Sequence, residues 1–205
     1  MRFTRFASLV AAATTGMVLV AGCGGGDSST ASSSTTSSSS CAGDVGEYFS
    51  ATTSAGEPEI RIPKLSGWTR ISDFESEVAR LTVADPSLTT EGYTANVVVS
   101  IEKSSMSGDA EFDRQMQGLD KSAVAGSVTR HDAASRCGYP SMLVDYQLQT
   151  PTPEQIVSTA TSLVVSVPGE PTSTTVLVTV QTANPDDATY LDAKQKILNG
   201  VRVAA

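Results

Sequence analysis

Histidine is nearly missing from this chain: His131 is the only one in 205 residues. Cysteine is scarce as well, with Cys23, Cys41 and Cys137 forming the whole set. A zinc site gathers three or four nitrogen, sulfur or carboxylate ligands in a tetrahedron, and so few soft ligands argue against one. Basic residues are outnumbered, 14 Lys and Arg against 22 Asp and Glu. That balance lacks the positive field that a phosphate backbone requires, so nucleic acid is excluded as a partner. Long apolar runs are missing too. The longest, Phe6 to Ala21, holds about 16 residues, short of the roughly 20 that cross a bilayer as a helix. No Gly-x-Ser-x-Gly elbow occurs. Gly24-Gly25-Gly26 is not a phosphate loop, since no strand pattern precedes it and no helix pattern follows.

What is present first is an export signal. Met1-Arg2-Phe3-Thr4-Arg5 carries two arginines and no acid. The apolar run follows and ends at Val20-Ala21-Gly22-Cys23. A basic start and a short apolar segment closed by small residues make a secretory leader. A branched apolar residue, two small residues and a cysteine form the pattern of a lipobox, where the thiol is diacylated and the chain is cut before it. Residues 1–22 are therefore expected to be a lipoprotein signal peptide and Cys23 the lipidated residue. Two acyl chains hold firmly where one is marginal, so the expected location is the extracytoplasmic face of the cell membrane, within the cell envelope. From Gly24 to Ser40 no large apolar side chain occurs. Residues 23–40 are expected to form a flexible tether with an end-to-end distance of roughly 20–25 Å. Its hydroxyls are candidate glycosylation points.

Residues 41–205 suit a single globular domain. Removing Arg2 and Arg5 with the leader leaves 12 basic residues against 22 acidic ones, a net charge of −10. Anionic lipid repels such a domain as a whole, which assigns membrane attachment to the anchor. With Cys23 lipidated, Cys41 and Cys137 remain as an even pair in an oxidising compartment, the setting for a disulfide. In the chain-entropy model a loop of that size stabilises by up to about 4.7 kcal/mol.

Hydrophobic periodicity gives the elements. Val45 to Phe49 reads as a short helical start. Glu59-Ile60-Arg61-Ile62-Pro63 alternates, a strand with Ile60 and Ile62 facing in. Trp68 to Ile71 is a second strand after the Gly67 turn, with Trp68 closing the end of a core. Val78 to Val83 is a third, stopped by Asp85-Pro86-Ser87, and Tyr93 to Lys103 a fourth. From Asp109 to Ala123 the period changes, and Phe112, Met116 and Leu119 share one helix face. Strand patterns return over Val128 to Ser135, Pro140 to Leu148, Gln155 to Val167 and Thr174 to Thr182. Pro168-Gly169-Glu170-Pro171 turns the last two into a hairpin. A final helix starts at Asn184-Pro185-Asp186-Asp187, buries Leu191, Ile197 and Leu198, and ends at Gly200. The predicted class is α+β: one antiparallel sheet flanked by helices.

Candidate chemistry is thin. His131 has Asp132 beside it and Ser135 nearby, but on a strand Asp132 points to the opposite face, so the trio does not form a triad. The Asn184-Pro185-Asp186-Asp187 cluster is better explained as a helix cap than as a calcium loop. Paired carboxylates for glycoside hydrolysis can come from anywhere in a chain, and Glu75, Glu77, Asp113 and Asp145 are the candidates by chemistry. No catalytic residue, metal ligand or cofactor-binding residue is assigned, and the chain is expected not to be an enzyme.

Ile60-Arg61-Ile62-Pro63, Gly67-Trp68, the Ala84-Asp85-Pro86-Ser87 turn and Ala95 to Ser100 together resemble the LpqN/LpqT family of mycobacterial lipoproteins. The resemblance covers about residues 44–202. It implies a PsbP/Mog-like α/β/α sandwich and an envelope lipoprotein without catalysis, acting through partners in envelope biogenesis or at the host interface. It carries over no functional residue. The leading expectation is a tethered protein-binding or scaffolding module with an envelope or host protein partner. A carrier of a lipid or other apolar ligand held between sheet and helix is the second, and a hydrolase with dispersed carboxylates the third.

Overall fold

The computed structural model describes Cys41 and residues 46–133, 135–149 and 155–205. The predicted leader and tether, with Cys23, lie outside those residues. In chain order the elements are β1 (Tyr48–Ser50), β2 (Glu59–Pro63), β3 (Thr69–Arg70), β4 (Ala79–Thr90), β5 (Tyr93–Ser104), α1 (Asp109–Ser122), β6 (Thr129–Asp132), β7 (Ser141–Gln149), β8 (Val157–Val167), β9 (Ser173–Thr182), α2 (Ala188–Gly200) and β10 (Arg202–Ala204). A 3-10 turn, Ser72–Phe74, follows β3.

The α+β class holds, with two antiparallel sheets where the sequence pointed to one. The larger runs β3-β4-β5-β9-β8-β7-β6 and the smaller β1-β2-β10. The large sheet joins two meanders, β3-β4-β5 and β6-β7-β8-β9, through nine antiparallel partners between β5 and β9. The predicted hairpin of β8 and β9 is present. Helix α1 connects β5, in the middle, to β6, at the far edge.

Alternation sorts the strands' side chains to two faces. Val97, Val99, Val176, Val178, Val180, Leu163 and Val165 pack with α2 (Tyr190, Ala193, Ile197, Leu198) and with Ile60, Ile62 and Val203 of the small sheet. On the other face, Met142, Val144, Tyr146, Ala160 and Val164 pack under Phe112, Met116 and Leu119 of α1. Ile60 and Ile62 are fully buried and Trp68 is 4% exposed, all three in the core as expected. Gly67 has φ +87°, and a Cβ there would sit 2.7 Å from Asp85 Oδ2. The Gly67-Trp68 and Ala84-Asp85-Pro86-Ser87 motifs thus meet in space, and only glycine admits the approach.

Four local expectations need correction. The segment read as a helical start is strand from Tyr48 onward, because Tyr48, Phe49 and Ser50 pair with Pro63, Ile62 and Arg61; Val45 lies outside the described residues. Strand β4 does not stop at Asp85-Pro86-Ser87. Its ladder to β5 breaks after Ala84 and resumes at Thr89, so an irregularity absorbs the proline that has no N–H to give. Leu191 is 41% exposed, and Tyr190 and Ala193 take the buried positions beside Ile197 and Leu198. Beyond Gly200, β10 completes the small sheet, which three residues are too short to announce.

Candidate functional site

The residues singled out by chemistry are dispersed. Glu75 receives Arg70 through two bonds of 2.6 Å, and that bonding holds its carboxyl below the usual range against the opposing effect of burial. Glu77 is exposed in the turn before β4. Asp113 pairs with Arg130 at 3.4 Å on the outside of α1. Asp145 Oδ2 lies 2.8 Å from His131 Nε2, and Thr161 Oγ1 donates to Asp145 Oδ1. This places His131 with Asp145 across the β6–β7 ladder and not with Asp132. The hydroxyl in the trio meets the carboxylate and not the imidazole, so no base is aimed at a nucleophile. Ser135 is exposed beyond β6. Asp187 accepts from Tyr190 N at 2.9 Å and caps α2. Among the described residues no group of three or more His, Cys, Asp or Glu could hold a metal ion. Cys41 and Cys137 form a disulfide with Cα atoms 4.7 Å apart, spanning 96 residues.

The feature with room for a ligand comes from the topology. Seven strands at about 4.8 Å spacing make a sheet roughly 29 Å wide, whereas a helix is about 10 Å across. Helix α1 must deliver the chain to the far edge, so it lies over β7 and β8. Among the described residues no helix lies over the end of β4, β5 and β9 that holds Ala84, Asn96 and Gln181 on the same face. Register places Thr82, Val98 and Thr179 in one row there and Ala84, Asn96 and Gln181 in the next. Val98, Thr179, Asn96 and Gln181 are all half-buried.

Over this floor the chain builds walls. Ile71 and Phe74 rise on one side, Pro86 and Gly92-Tyr93-Thr94 on another, around a concave space of about 580 Å³. Phe74 is 70% exposed at the rim, the most exposed of the large hydrophobic residues among those described. The floor carries a fixed polar pair: Gln181 Nε2 donates to Asn96 Oδ1 at 2.7 Å, and Asn96 Nδ2 donates to the Thr94 carbonyl at 2.9 Å. A mostly apolar cleft with a few oriented polar groups has the character of a binding site. Between sheet and helix, apolar side chains pack on both faces. The space lies beside α1, not beneath it.

Glu111 sets where α1 lies. Its carboxylate is fully buried. It accepts from Ser104 Oγ at 2.6 Å, Thr175 Oγ1 at 2.8 Å, Gln115 Nε2 at 3.0 Å and Arg114 Nη2 at 2.6 Å. Burial pushes this carboxyl up, but bonds from Arg114, Ser104, Gln115 and Thr175 outweigh it and hold the pKa at about 2. The first turn of the helix is thereby tied to the ends of β5 and β9. Sequence reasoning passed over Phe74, Asn96 and Gln181. The one available signal was Asn96, a polar residue breaking into the apolar stretch Ala95 to Val99.

No protein-family model matches the chain, and no curated protein matches it in sequence. Among solved structures, LpqN, involved in cell envelope biogenesis of Mycobacterium tuberculosis, superposes with a TM-score of 0.57. The match has 13% identity and covers 78% of this chain and 91% of that one, a likeness of fold alone. A Pseudomonas aeruginosa protein of unknown function, PA94, matches at 18% identity over 76% of this chain and 95% of its own, with a TM-score of 0.37. The resemblance read from short sequence motifs therefore holds at the level of fold. Among the described residues, no helix is long and apolar enough to cross a membrane.

Proposed function

We propose that this chain is a lipoprotein of the cell envelope, cleaved before Cys23, diacylated there, and carrying a non-catalytic binding module on a flexible tether. The observation that carries the binding role is the open half of the large sheet, with Phe74 exposed above a floor fixed by Asn96 and Gln181. The envelope assignment is supported by Val20-Ala21-Gly22-Cys23 and by the fold shared with LpqN. The dispersed carboxylates, each engaged by a different partner or lying exposed, favour binding over hydrolysis. The module's partner is a protein of the envelope or the host, which lays an apolar segment into the groove with Phe74 as its anchor.

A photo-crosslinking side chain placed at position 74 of the full-length protein, in intact cells of its source, tests this. A discrete protein adduct is expected, lost when Asn96 and Gln181 are both replaced by Leu. Adducts no different from those of a tether-only control would remove the proposal. The same groove favours a second reading, an apolar small-molecule carrier, and the same experiment separates them. Mass spectrometry of the crosslinked product would then find a lipid at position 74 and no peptide. Mass measurement of the mature N-terminus tests the anchor independently, with a diacylated Cys23 expected.

A further inference from the structure

The small sheet carries an arrangement that stability alone does not account for. Its inner face is apolar (Ile60, Ile62, Val203). On its outer face Arg61 of β2 and Arg202 of β10 stand directly opposite each other. Like charges in that relation destabilise a strand pair. Both guanidinium groups lie over one ring, that of Tyr48, at 5.6 and 5.9 Å from its centroid, which softens the repulsion. A third arginine joins them from elsewhere in the chain. Arg136 precedes Cys137 in the Arg136–Tyr139 turn, donates through Nη1 to the Asn199 carbonyl at 2.8 Å, and keeps its Nε buried without a partner. Burial lowers its pKa, and the nearby charge of Arg202 lowers it further. One carboxylate, Glu59, approaches Arg61, at 3.5 Å. Three convergent arginines are conspicuous in a chain with 14 basic residues against 22 acidic ones.

The position of the cluster says what would meet it. Cys137, the residue after Arg136, is bonded to Cys41, and Cys41 is where the tether predicted over residues 23–40 joins the domain. The arginines therefore stand at the attachment point, on the side the tether draws toward the bilayer. We propose that Arg61, Arg136 and Arg202 form a docking surface for the phosphate groups of anionic lipid, setting the domain arginine-side down on the membrane that anchors it. This rests on the proposed lipid anchor. Guanidinium matches phosphate oxygens in a planar fork. Each basic side chain near an anionic surface strengthens association roughly fivefold. The remaining acidic surface is repelled by the same lipid, so the domain behaves as an oriented dipole: held down at the tether end and pushed away elsewhere. Arg202 has a further contact of its own, so Arg61 and Arg136 carry the test.

The full mature lipoprotein is reconstituted into vesicles of phosphatidylcholine alone or with one third phosphatidylglycerol, and amide exchange is followed. Flotation with the neutral vesicles tests the anchor by itself. Failure there overturns the lipoprotein reading and, with it, this proposal's premise. Given flotation, residues 59–63, 136–139 and 202–204 should exchange several-fold more slowly on the anionic vesicles only. Arg61→Gln, a half-buried change, should remove most of that difference, and Arg61→Gln with Arg136→Gln all of it, with flotation unchanged. Equal exchange on both vesicles, or protection that survives the double change, would overturn the proposal. If inorganic phosphate without vesicles gave the same protection, the site would take a free anion and the membrane assignment would fall.

Discussion

Along β5, Val97, Val99 and Ile101 point toward α2 and are at most 5% exposed. Their immediate neighbours Asn96, Val98 and Ser100 point the other way and are only half-buried. On β9, Val176, Val178 and Val180 are buried on the α2 side, while Leu177, Thr179 and Gln181 are half-buried on the other. The backbone is the same for both sets, so only side-chain identity and cover distinguish them. The α2 face is chosen for burial and is covered over β4, β5, β9 and β8 by α2 and the small sheet. The α1 face mixes apolar with hydroxyl and amide side chains and is covered over β7 and β8 and at the ends of β5 and β9 that meet Glu111. Polar groups running from the covered part toward the open part are kept in order by bonding to one another: Tyr146 OH with Ser162 Oγ at 3.0 Å, and Ser162 with Thr179 at 2.7 Å. Stability is concentrated on the first face, and room for binding on the second.

The contrast can be broken at several points. Leu163→Ala, in the fully buried middle of β8, should cost about 3–5 kcal/mol in denaturant unfolding, because the close-packed α2 face cannot collapse around the lost side chain. Acid should reach the α1 face next. The Glu111 carboxyl is depressed from its ordinary value near 4.5 to about 2, so its contribution is complete above pH 4.5 and is lost as pH falls toward 2. Roughly 3 kcal/mol should disappear across that window. Glu111→Gln should flatten the pH dependence there and lower stability at pH 7. A depressed proton affinity contributes only where the group stays ionised, so the same variant should show no new dependence above pH 6.

Smaller effects separate structural from binding residues. Asp187→Ala removes the cap of α2 and should lower stability by about 1 kcal/mol, read as a shift in thermal midpoint. Phe74→Asp should change stability by less than about 0.5 kcal/mol, as an exposed position does, yet abolish partner capture at the groove. A large loss of stability in Phe74→Asp would mean that the open half-face belongs to the core and is not a site.

Much of the fold was legible because alternation and helical period are strong signals over long elements. β5, β7, β9, α1 and the β8–β9 hairpin follow from them. Two of the misreadings share one cause. Tyr48–Ser50 and Arg202–Ala204 are three residues each, too short to carry a period, and are strands only because β2 lies between them to pair with both. Leu191 gave way to Tyr190 for a related reason: Tyr190 reaches the Val180 carbonyl on the sheet at 3.4 Å, a contact that composition does not reveal. The candidate groove could not be read at all, since Asn96 and Gln181 are 85 residues apart and meet only because β9 returns beside β5.

By itself the sequence determined the division in composition into a basic and then apolar stretch up to Gly22, a Gly/Ser/Thr stretch and an acidic remainder of α+β class. It also determined that Cys41 and Cys137 were the pair left to bond. Those features are local in composition or follow from counting, and need no knowledge of which segment lies beside which. The tertiary structure alone decided that α1 covers half of one sheet face, that Glu111 pins it there, and that Arg61, Arg136 and Arg202 come together beside the disulfide. Each depends on strand order and register, which long-range pairing fixes and a single pass along the chain does not contain.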